Sequence, residues 1–249
     1  MGEEFQLPLG VTTASDVIKS VVLRPMTAGT RRKMLNRDTA RNASKSLTSI
    51  LMDCCDSIGG SPVNERDINN LVLGDRDYML FEIRRLSLGN IINASTQCPK
   101  CEEKIEFQVD MGNVPIRRLE QGKHYELENT LPVFKVKNAD IKVEAICRFP
   151  NAVDQSAMLN LMKNDPLGAN YLLYSKVMRK WSRDGQVVQG PYTQVFVDSM
   201  TVPEIEWFER AFADAQPGPD WAARIPCTSC DRPMILDLND SDFLFKTQV

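Results

Sequence analysis

Four cysteines of this sequence form two Cys-x-x-Cys pairs, Cys98 with Cys101 and Cys227 with Cys230. Two residues of spacing let both thiolates point to one side of a tight turn, and two such turns supply four sulfurs in tetrahedral geometry. This is the ligand set of a structural zinc ion, whose closed shell of four thiolates leaves no open coordination position. The spacing therefore predicts one structural Zn²⁺ per chain, bound by these four cysteines.

The runs around each pair are strand-like, as in the knuckles of a zinc ribbon. Ile91–Gln97 and the alternating Lys104–Val109 flank the first pair, and Trp221–Pro226 and Met234–Leu238 flank the second. Between Cys101 and Cys227 lie 125 residues, far more than a compact ribbon needs. The sequence therefore predicts an insertion that leaves the ribbon and returns to it.

Other roles for these cysteines are weaker interpretations. They could be unrelated reduced thiols in a core, or a redox pair of thioredoxin type, although neither pair opens a helix of a βαβ unit. A catalytic zinc usually keeps an open position and includes histidine or carboxylate ligands, and the only histidine is His124. We find no nucleophile, P-loop or dinucleotide-binding motif and predict no catalytic residue. Cys54, Cys55 and Cys147 are interpreted as small buried apolar residues.

Composition narrows the class of protein. The 249 residues carry a net charge of -3, with 43% hydrophobic and 25% charged residues, which is ordinary for a globular protein. No run approaches the roughly 18 apolar residues of a membrane-spanning helix, and the N-terminus lacks a signal-peptide pattern. We therefore expect synthesis in a cytoplasm and no membrane partner. The near-neutral charge argues against nucleic-acid binding.

The predicted fold class is α+β, with an N-terminal helical region, a four-cysteine zinc ribbon and an α+β insertion. The predicted organisation is an arm, a strand and a helical bundle in residues 1–90, the ribbon in 91–111 plus 221–240, the insertion in 112–220 and a C-terminal tail in 241–249. Residues 1–20 read largely as an irregular arm. Apolar periodicity predicts helices over Ser44–Ser57 and Leu167–Trp181. Thr201, followed by Pro203 and Glu204, predicts a helix that runs to Ala215.

A basic stretch from Arg24 to Lys45 is the candidate partner-binding surface. Its proposed docking residues are Arg24, Arg31, Arg32, Lys33, Arg37 and Arg41. A solvated helix face is the plain alternative, and a surface for an acidic protein partner is the functional one. Nucleic-acid contact is less favoured, because no aromatic residues interleave with the charges. The apolar tail segment Phe243–Phe245 is a second docking candidate.

Three motifs in order resemble the T4-type baseplate protein family of contractile phage tails and related contractile injection systems. They are R-P-M-T-x-G at Arg24–Gly29, G-D-R-D-Y-x-L at Gly74–Leu80 and the strand–C-P-x-C–strand around Cys98–Cys101, and together they cover about residues 17–118. The resemblance implies a structural baseplate component without catalytic residues. It implies hub, spike, wedge or sheath-initiating proteins as partners, and the tail baseplate as the mature location.

Two other functions stay open at this point. The chain could be a baseplate assembly chaperone that is absent from the mature particle. It could also be a zinc-ribbon module that binds nucleic acid, which a salt-dependent affinity for DNA or RNA would reveal. The favoured function is a non-enzymatic baseplate component that joins hub or spike to neighbouring proteins.

Overall fold

A computed structural model describes residues 2–13, 16–34, 43–162 and 164–237, and shows an α+β protein. The helices of these residues are α1 (Ala28–Met34), α2 (Ala43–Cys54), α3 (Glu65–Asn70), α4 (Leu73–Leu88), α5 (Ala152–Met162), α6 (Pro166–Val177), α7 (Gln194–Asp198) and α8 (Val202–Ala215). The strands are β1 (Glu3–Thr12), β2 (Val17–Leu23), β3 (Cys55–Ile58), β4 (Ser61–Pro62), β5 (Ile91–Gln97), β6 (Lys104–Asp110), β7 (Ile116–Arg117), β8 (Glu126–Glu128), β9 (Leu131–Asn138), β10 (Val143–Arg148), β11 (Met178–Arg183), β12 (Gln186–Val188), β13 (Gly218–Pro219), β14 (Ala222–Pro226) and β15 (Pro233–Asp237). Among the helices described, none is both long and apolar enough to cross a membrane.

The N-terminal region combines helices with a four-stranded antiparallel sheet of order β1-β2-β3-β4. Side chains of the sheet pack with those of α2, α3 and α4 to form the N-terminal core, which includes Leu7, Val21, Ile50 and Met79. The expected helical bundle is therefore only part of this region. Asn64 begins α3 with a capping box, because its side chain accepts from the backbone N–H of Asp67 and Asp67 accepts from Asn64.

The irregular arm predicted for residues 1–20 is wrong, because β1 occupies Glu3–Thr12 and pairs with β2. Four consecutive residues of this strand, from Leu7 to Gly10, are buried, so the strand lacks the alternation that marks a half-buried one. Leu7 packs in the N-terminal core and Leu9 packs in the core of the insertion. The first strand therefore joins the two large cores of the molecule.

The insertion contains a five-stranded antiparallel sheet of order β12-β11-β10-β9-β8. Its insertion core includes Phe134, Ala145, Trp181 and Phe208, the last from α8. The helix predicted from Thr201 to Ala215 is confirmed, with Glu204 reaching back to the backbone N–H of Thr201 at 2.8 Å.

Two predicted helices end earlier than expected. The helix predicted over Ser44–Ser57 stops at Cys54, where β3 begins. The helix predicted over Leu167–Trp181 stops at Val177, and Trp181 belongs to β11. Val177 and Trp181 are both fully buried in the insertion core, so a spacing of four residues looked helical although it crosses a helix–strand boundary.

The insertion leaves the ribbon after β6 and returns to it before β14. Its two ends pair with each other as the short strands β7 and β13, with Arg117 opposite Gly218 and Ile116 opposite Pro219. The backbone N–H of Asp220 also donates to the carbonyl of Pro115 at 2.8 Å. The two ends of the insertion are therefore held together by backbone pairing in addition to any link through the cysteines.

Candidate metal centre

The first knuckle is the turn between β5 and β6. The backbone N–H of Cys98 donates to the carbonyl of Glu103 at 2.9 Å, and the N–H of Glu102 donates back to the carbonyl of Cys98 at 2.9 Å. The N–H of Lys100 points at the Sγ atom of Cys98, at 3.5 Å. These bonds fix the turn so that the side chains of Cys98 and Cys101 face the second hairpin.

The second knuckle, between β14 and β15, repeats the backbone pattern of the first. The N–H of Cys227 donates to the carbonyl of Arg232 at 2.9 Å, and the N–H of Asp231 donates to the carbonyl of Cys227 at 3.0 Å. The residue after the second cysteine is left-handed in both turns, with φ of 60° at Glu102 and 54° at Asp231. The two knuckles thus have the same local geometry.

The four sulfurs predicted as ligands come together in the structure. All lie within 4.8 Å of one another. The Sγ atoms of Cys98 and Cys230 are 3.7 Å apart, and those of Cys101 and Cys227 are 3.6 Å apart. A tetrahedron with metal–sulfur bonds of about 2.3 Å has edges of about 3.8 Å, whereas a disulfide bond is about 2.05 Å long. The spacing therefore fits a four-thiolate metal site and does not fit disulfides.

The surroundings of the sulfurs also suit a metal. Cys98 and Cys227 are buried in a small ribbon core with Ile105 and Met234. Hydrogen bonds from the backbone N–H groups of Cys101 and Lys100 lower the pKa of the Cys98 thiol. The pKa of the Cys101 thiol is raised, because burial and the three neighbouring sulfurs disfavour a second thiolate when no cation is bound. A thiol that ionises readily is prepared to bind metal, because the thiolate is the ligand. Four sulfur donors favour zinc or iron over magnesium or calcium.

Helix α4 attaches the ribbon to the N-terminal core. The buried guanidinium of Arg84 donates to the carbonyls of Gly89 and Ile91, which orients the chain as it enters β5. The ring of Phe81 packs edge-on against Trp221 with 5.5 Å between ring centroids. The chain therefore contacts α4 at both places where it enters the ribbon, before β5 and before β14.

The G-D-R-D-Y-x-L motif lies where the ends of the insertion cross α4. A Cβ atom at Gly74 would lie 2.1 Å from the carbonyl oxygen of Pro217, so only glycine fits there. The fully buried carboxylate of Asp75 accepts the backbone N–H groups of Leu9 and Gly10, both at 2.8 Å. The motif therefore joins β1 and the returning end of the insertion to the start of α4.

The rest of the motif completes this junction. The buried Arg76 donates to the carbonyl of Ile68 at 2.9 Å and to the hydroxyl of Thr48 at 3.0 Å. Arg118, on the outgoing end of the insertion, packs over the ring of Tyr78 at 5.2 Å and donates to the carbonyl of Gln6. In the sequence this motif is marked only by its family resemblance, whereas its physical role comes from contacts between residues far apart in the chain.

The basic stretch is partly neutralised within the chain. Arg24 pairs with Asp56 at 3.2 Å, and Lys33 pairs with Asp53 at 2.7 Å. Arg31 and Arg32 are exposed on α1. Arg37 and Arg41, like the Phe243–Phe245 segment, lie outside the described residues. Docking of a partner on this stretch therefore stays a prediction, on a surface less positive than the sequence indicated.

The remaining candidate side chains have structural surroundings. The Nδ1 atom of His124 accepts the backbone N–H of Glu120 at 3.1 Å within a turn. Cys54, Cys55 and Cys147 are buried. Burial raises the pKa of the Cys54 thiol to about 11 and that of Cys55 to about 12, and it raises the pKa of Cys147 further. These thiols stay protonated near neutral pH, which makes them poor metal ligands.

Fold and site together define an α+β protein in which a four-cysteine centre links two hairpins at the base of a long insertion. A family model described as T4 bacteriophage base plate protein matches residues 4–246. The chain belongs to this family, and its role as a baseplate protein is structural. The match extends well beyond residues 17–118 and includes the insertion and the second knuckle. Searches of curated proteins and of solved structures found no match.

Proposed function

We propose that this baseplate protein holds one structural zinc ion through Cys98, Cys101, Cys227 and Cys230, and that it joins the hub or spike to neighbouring baseplate proteins. The particle is the tail of a contractile phage or a related injection system. Catalysis has no part in this proposal. Zinc bound by four thiolates supplies no redox chemistry and has no open position for a substrate.

The observation that carries the zinc proposal is the arrangement of the four sulfurs. They lie within 4.8 Å of one another, although 125 residues separate the two pairs. Of the side chains described in the ribbon core around them, Ile105 and Met234 are the buried apolar ones besides the cysteines. Small units with so little core generally depend on a metal for stability. The four cysteines would then hold both hairpins in a fixed orientation around the ion.

Elemental analysis of natively purified protein tests the metal. We expect about one zinc per chain and no absorption in the visible range, because Zn²⁺ has a filled d shell. Iron bound by the same thiolates would colour the protein and would contradict the choice of metal. Cys98→Ser should lose the ion, whereas Cys147→Ser, which changes a buried cysteine outside the cluster, should retain it. Metal-free native protein with four freely reactive thiols would refute the site.

Mass spectrometry of purified mature particles tests the location. A fixed number of copies in every particle, retained after a salt wash, is the expected result. Detection only in assembly intermediates would replace the proposal with the assembly-chaperone function. If the metal serves the baseplate, Cys98→Ser should lower the yield of complete particles, and Cys147→Ser should lower it less. A nuclease-sensitive, salt-dependent association with DNA or RNA would favour a nucleic-acid module instead.

A further inference from the structure

The outer face of the five-stranded sheet, opposite the insertion core, gathers lysines that are far apart in sequence. One row across the sheet runs Lys137, Glu144, Ser182 and Val187, because these residues are paired in register on β9, β10, β11 and β12. The adjacent row is Lys135, Ile146 and Lys180. Lys142 extends from the β9–β10 turn toward the same depression. We call this surface the lysine groove.

The lysine groove has more positive than negative charge. Lys135 pairs with Glu144 at 2.7 Å. Lys137, Lys142 and Lys180 make no ion pair with any residue that the structure describes. Asp184 also lines this depression. Glu128 and Arg179 line the neighbouring depression with Lys180, and they form an ion pair at 4.0 Å. The basic stretch differs, because aspartates of α2 and β3 pair with two of its cations. The lysine groove therefore has a local surplus of positive charge.

The surface is concave and includes apolar side chains. Two depressions, of about 410 and 550 Å³, adjoin each other, because Lys180 and Val187 line both of them. Val187 is 47% exposed and Ile146 is half-buried between two lysines. A surface of this composition can hold charged side chains at its lysines and an apolar side chain at Ile146 and Val187.

We propose that the lysine groove binds an acidic, extended segment of a neighbouring baseplate protein. The proposal rests on the proposed function, because it takes the particle as the place where this partner is met. The row from Lys137 to Val187 crosses four strands, a distance of about 14 Å at about 4.8 Å per strand, which matches about four extended residues. Carboxylates at alternate positions of such a segment face one side and can reach Lys137 and Lys180.

A polypeptide fits this groove better than a nucleic acid does. The oxygens of Glu144 and Asp184 can accept hydrogen bonds from the N–H groups of a peptide backbone, a donor that a phosphate backbone does not have. Four lysines over this distance offer few phosphate contacts. An acidic segment is attracted by the same lysines, and complementary charge sets its register.

Chemical labelling of assembled baseplates tests the occupant. A carbodiimide joins a lysine amine directly to a carboxylate that touches it, so Lys137, Lys142 or Lys180 should cross-link to aspartate or glutamate of another polypeptide. The same lysines should be acetylated at least fivefold less in baseplates than in the free protein. The exposed Lys123 and Lys176 are the internal controls and should react equally in both states.

Charge-reversal variants provide the second test of the proposal. Lys137→Glu with Lys180→Glu should reduce incorporation into baseplates at least tenfold, while Lys123→Glu with Lys176→Glu, the same change in charge, should not. Thermal unfolding of both double variants checks that they fold. Full incorporation of the folded groove variant, equal acetylation in both states, or loss of groove protection on nuclease treatment would each overturn the inference. Absence of the chain from particles would instead contradict the proposed function.

Discussion

Loss of the proposed zinc ion should unfold the knuckle ends of the two ribbon hairpins and leave both large cores folded. Cys98→Ser removes one of the four sulfurs and leaves the other three thiols, as well as all contacts of the insertion, in place. Among the side chains that the structure describes around the sulfurs, the buried apolar ones are Ile105 and Met234, each contributing about 1.5–3 kcal/mol. Ordering the backbone costs about 1–2 kcal/mol for every ribbon residue. Without the ion, the knuckle ends of the hairpins should therefore be disordered.

The insertion should tolerate this change, because its ends are held independently of the cysteines. Cross-linking the two pairs alone would close a loop of 125 residues. With β7 paired to β13, only 14 residues between Cys101 and Ile116 and seven between Pro219 and Cys227 remain to be closed. The entropic contribution of the cluster is then smaller by about 1.5 kcal/mol, from the logarithmic dependence on loop length. The pairing of β7 with β13 and the contact at Gly74 hold the two ends of the insertion together without the cysteines.

Hydrogen exchange read by mass spectrometry measures the outcome region by region. In Cys98→Ser, amides near both knuckles, in Ser95–Glu106 and Arg224–Met234, should exchange at nearly unprotected rates. Amides of α4 and of the five-stranded sheet should stay within a few-fold of the parent protein. The root of the ribbon should keep partial protection, since Ile92 packs with Phe81 and Met111.

Cys147→Ser should give the opposite pattern of hydrogen exchange. Cys147 is fully buried in the insertion core, so a hydroxyl there should speed exchange in the five-stranded sheet and spare the ribbon. The reasoning fails if Cys98→Ser exposes the five-stranded sheet as much as the ribbon, because the metal would then be what holds the insertion. Unchanged protection at the knuckles would refute a structural role for the ion.

Three further perturbations have defined outcomes. Glu102→Gly should remove the strain of a left-handed backbone at the first knuckle, about 1 kcal/mol. Zinc transfer to a chelator should then be several-fold slower, and faster transfer would contradict this. Gly74→Ala should destabilise the protein by about 3 kcal/mol or more in urea unfolding, because the new methyl group would overlap the carbonyl of Pro217; a change below about 0.5 kcal/mol would show that the chain shifts freely there. Burial raises the pKa of the Asp75 carboxyl to about 6, above its usual value of 3.8. The folded protein therefore binds this proton more tightly than the unfolded chain does. The resulting stabilisation is complete below about pH 4 and is lost as pH rises through 6. Stability measured against pH should therefore fall over this window relative to Asp75→Asn, by about 2–3 kcal/mol at most, and parallel curves would refute the shift.

Some elements of this fold are encoded by neighbouring residues, and others depend on contacts far along the chain. The α8 helix begins with a Thr-x-Pro-Glu pattern that fixes its own start, and its bounds followed from neighbouring residues alone. The first strand has no such signal. Its buried run from Leu7 to Gly10 depends on two cores, and the carboxylate of Asp75, 66 residues away from Leu9, replaces the strand partner that its backbone would otherwise need.

The cysteine spacing determined the candidate site, because two residues between thiols fix their direction within a short turn. Sequence could pair the two knuckles but could not show what else holds the insertion at its base. The β7–β13 pairing, the close approach of Pro217 to Gly74 and the Asp75 contact with β1 join residues far apart in the chain. The lysine groove arises in the same way, since strand register brings Lys137 and Lys180 to one face. Local chemistry determined the candidate ligands, and long-range backbone pairing decided where their hairpins lie and which surface is basic.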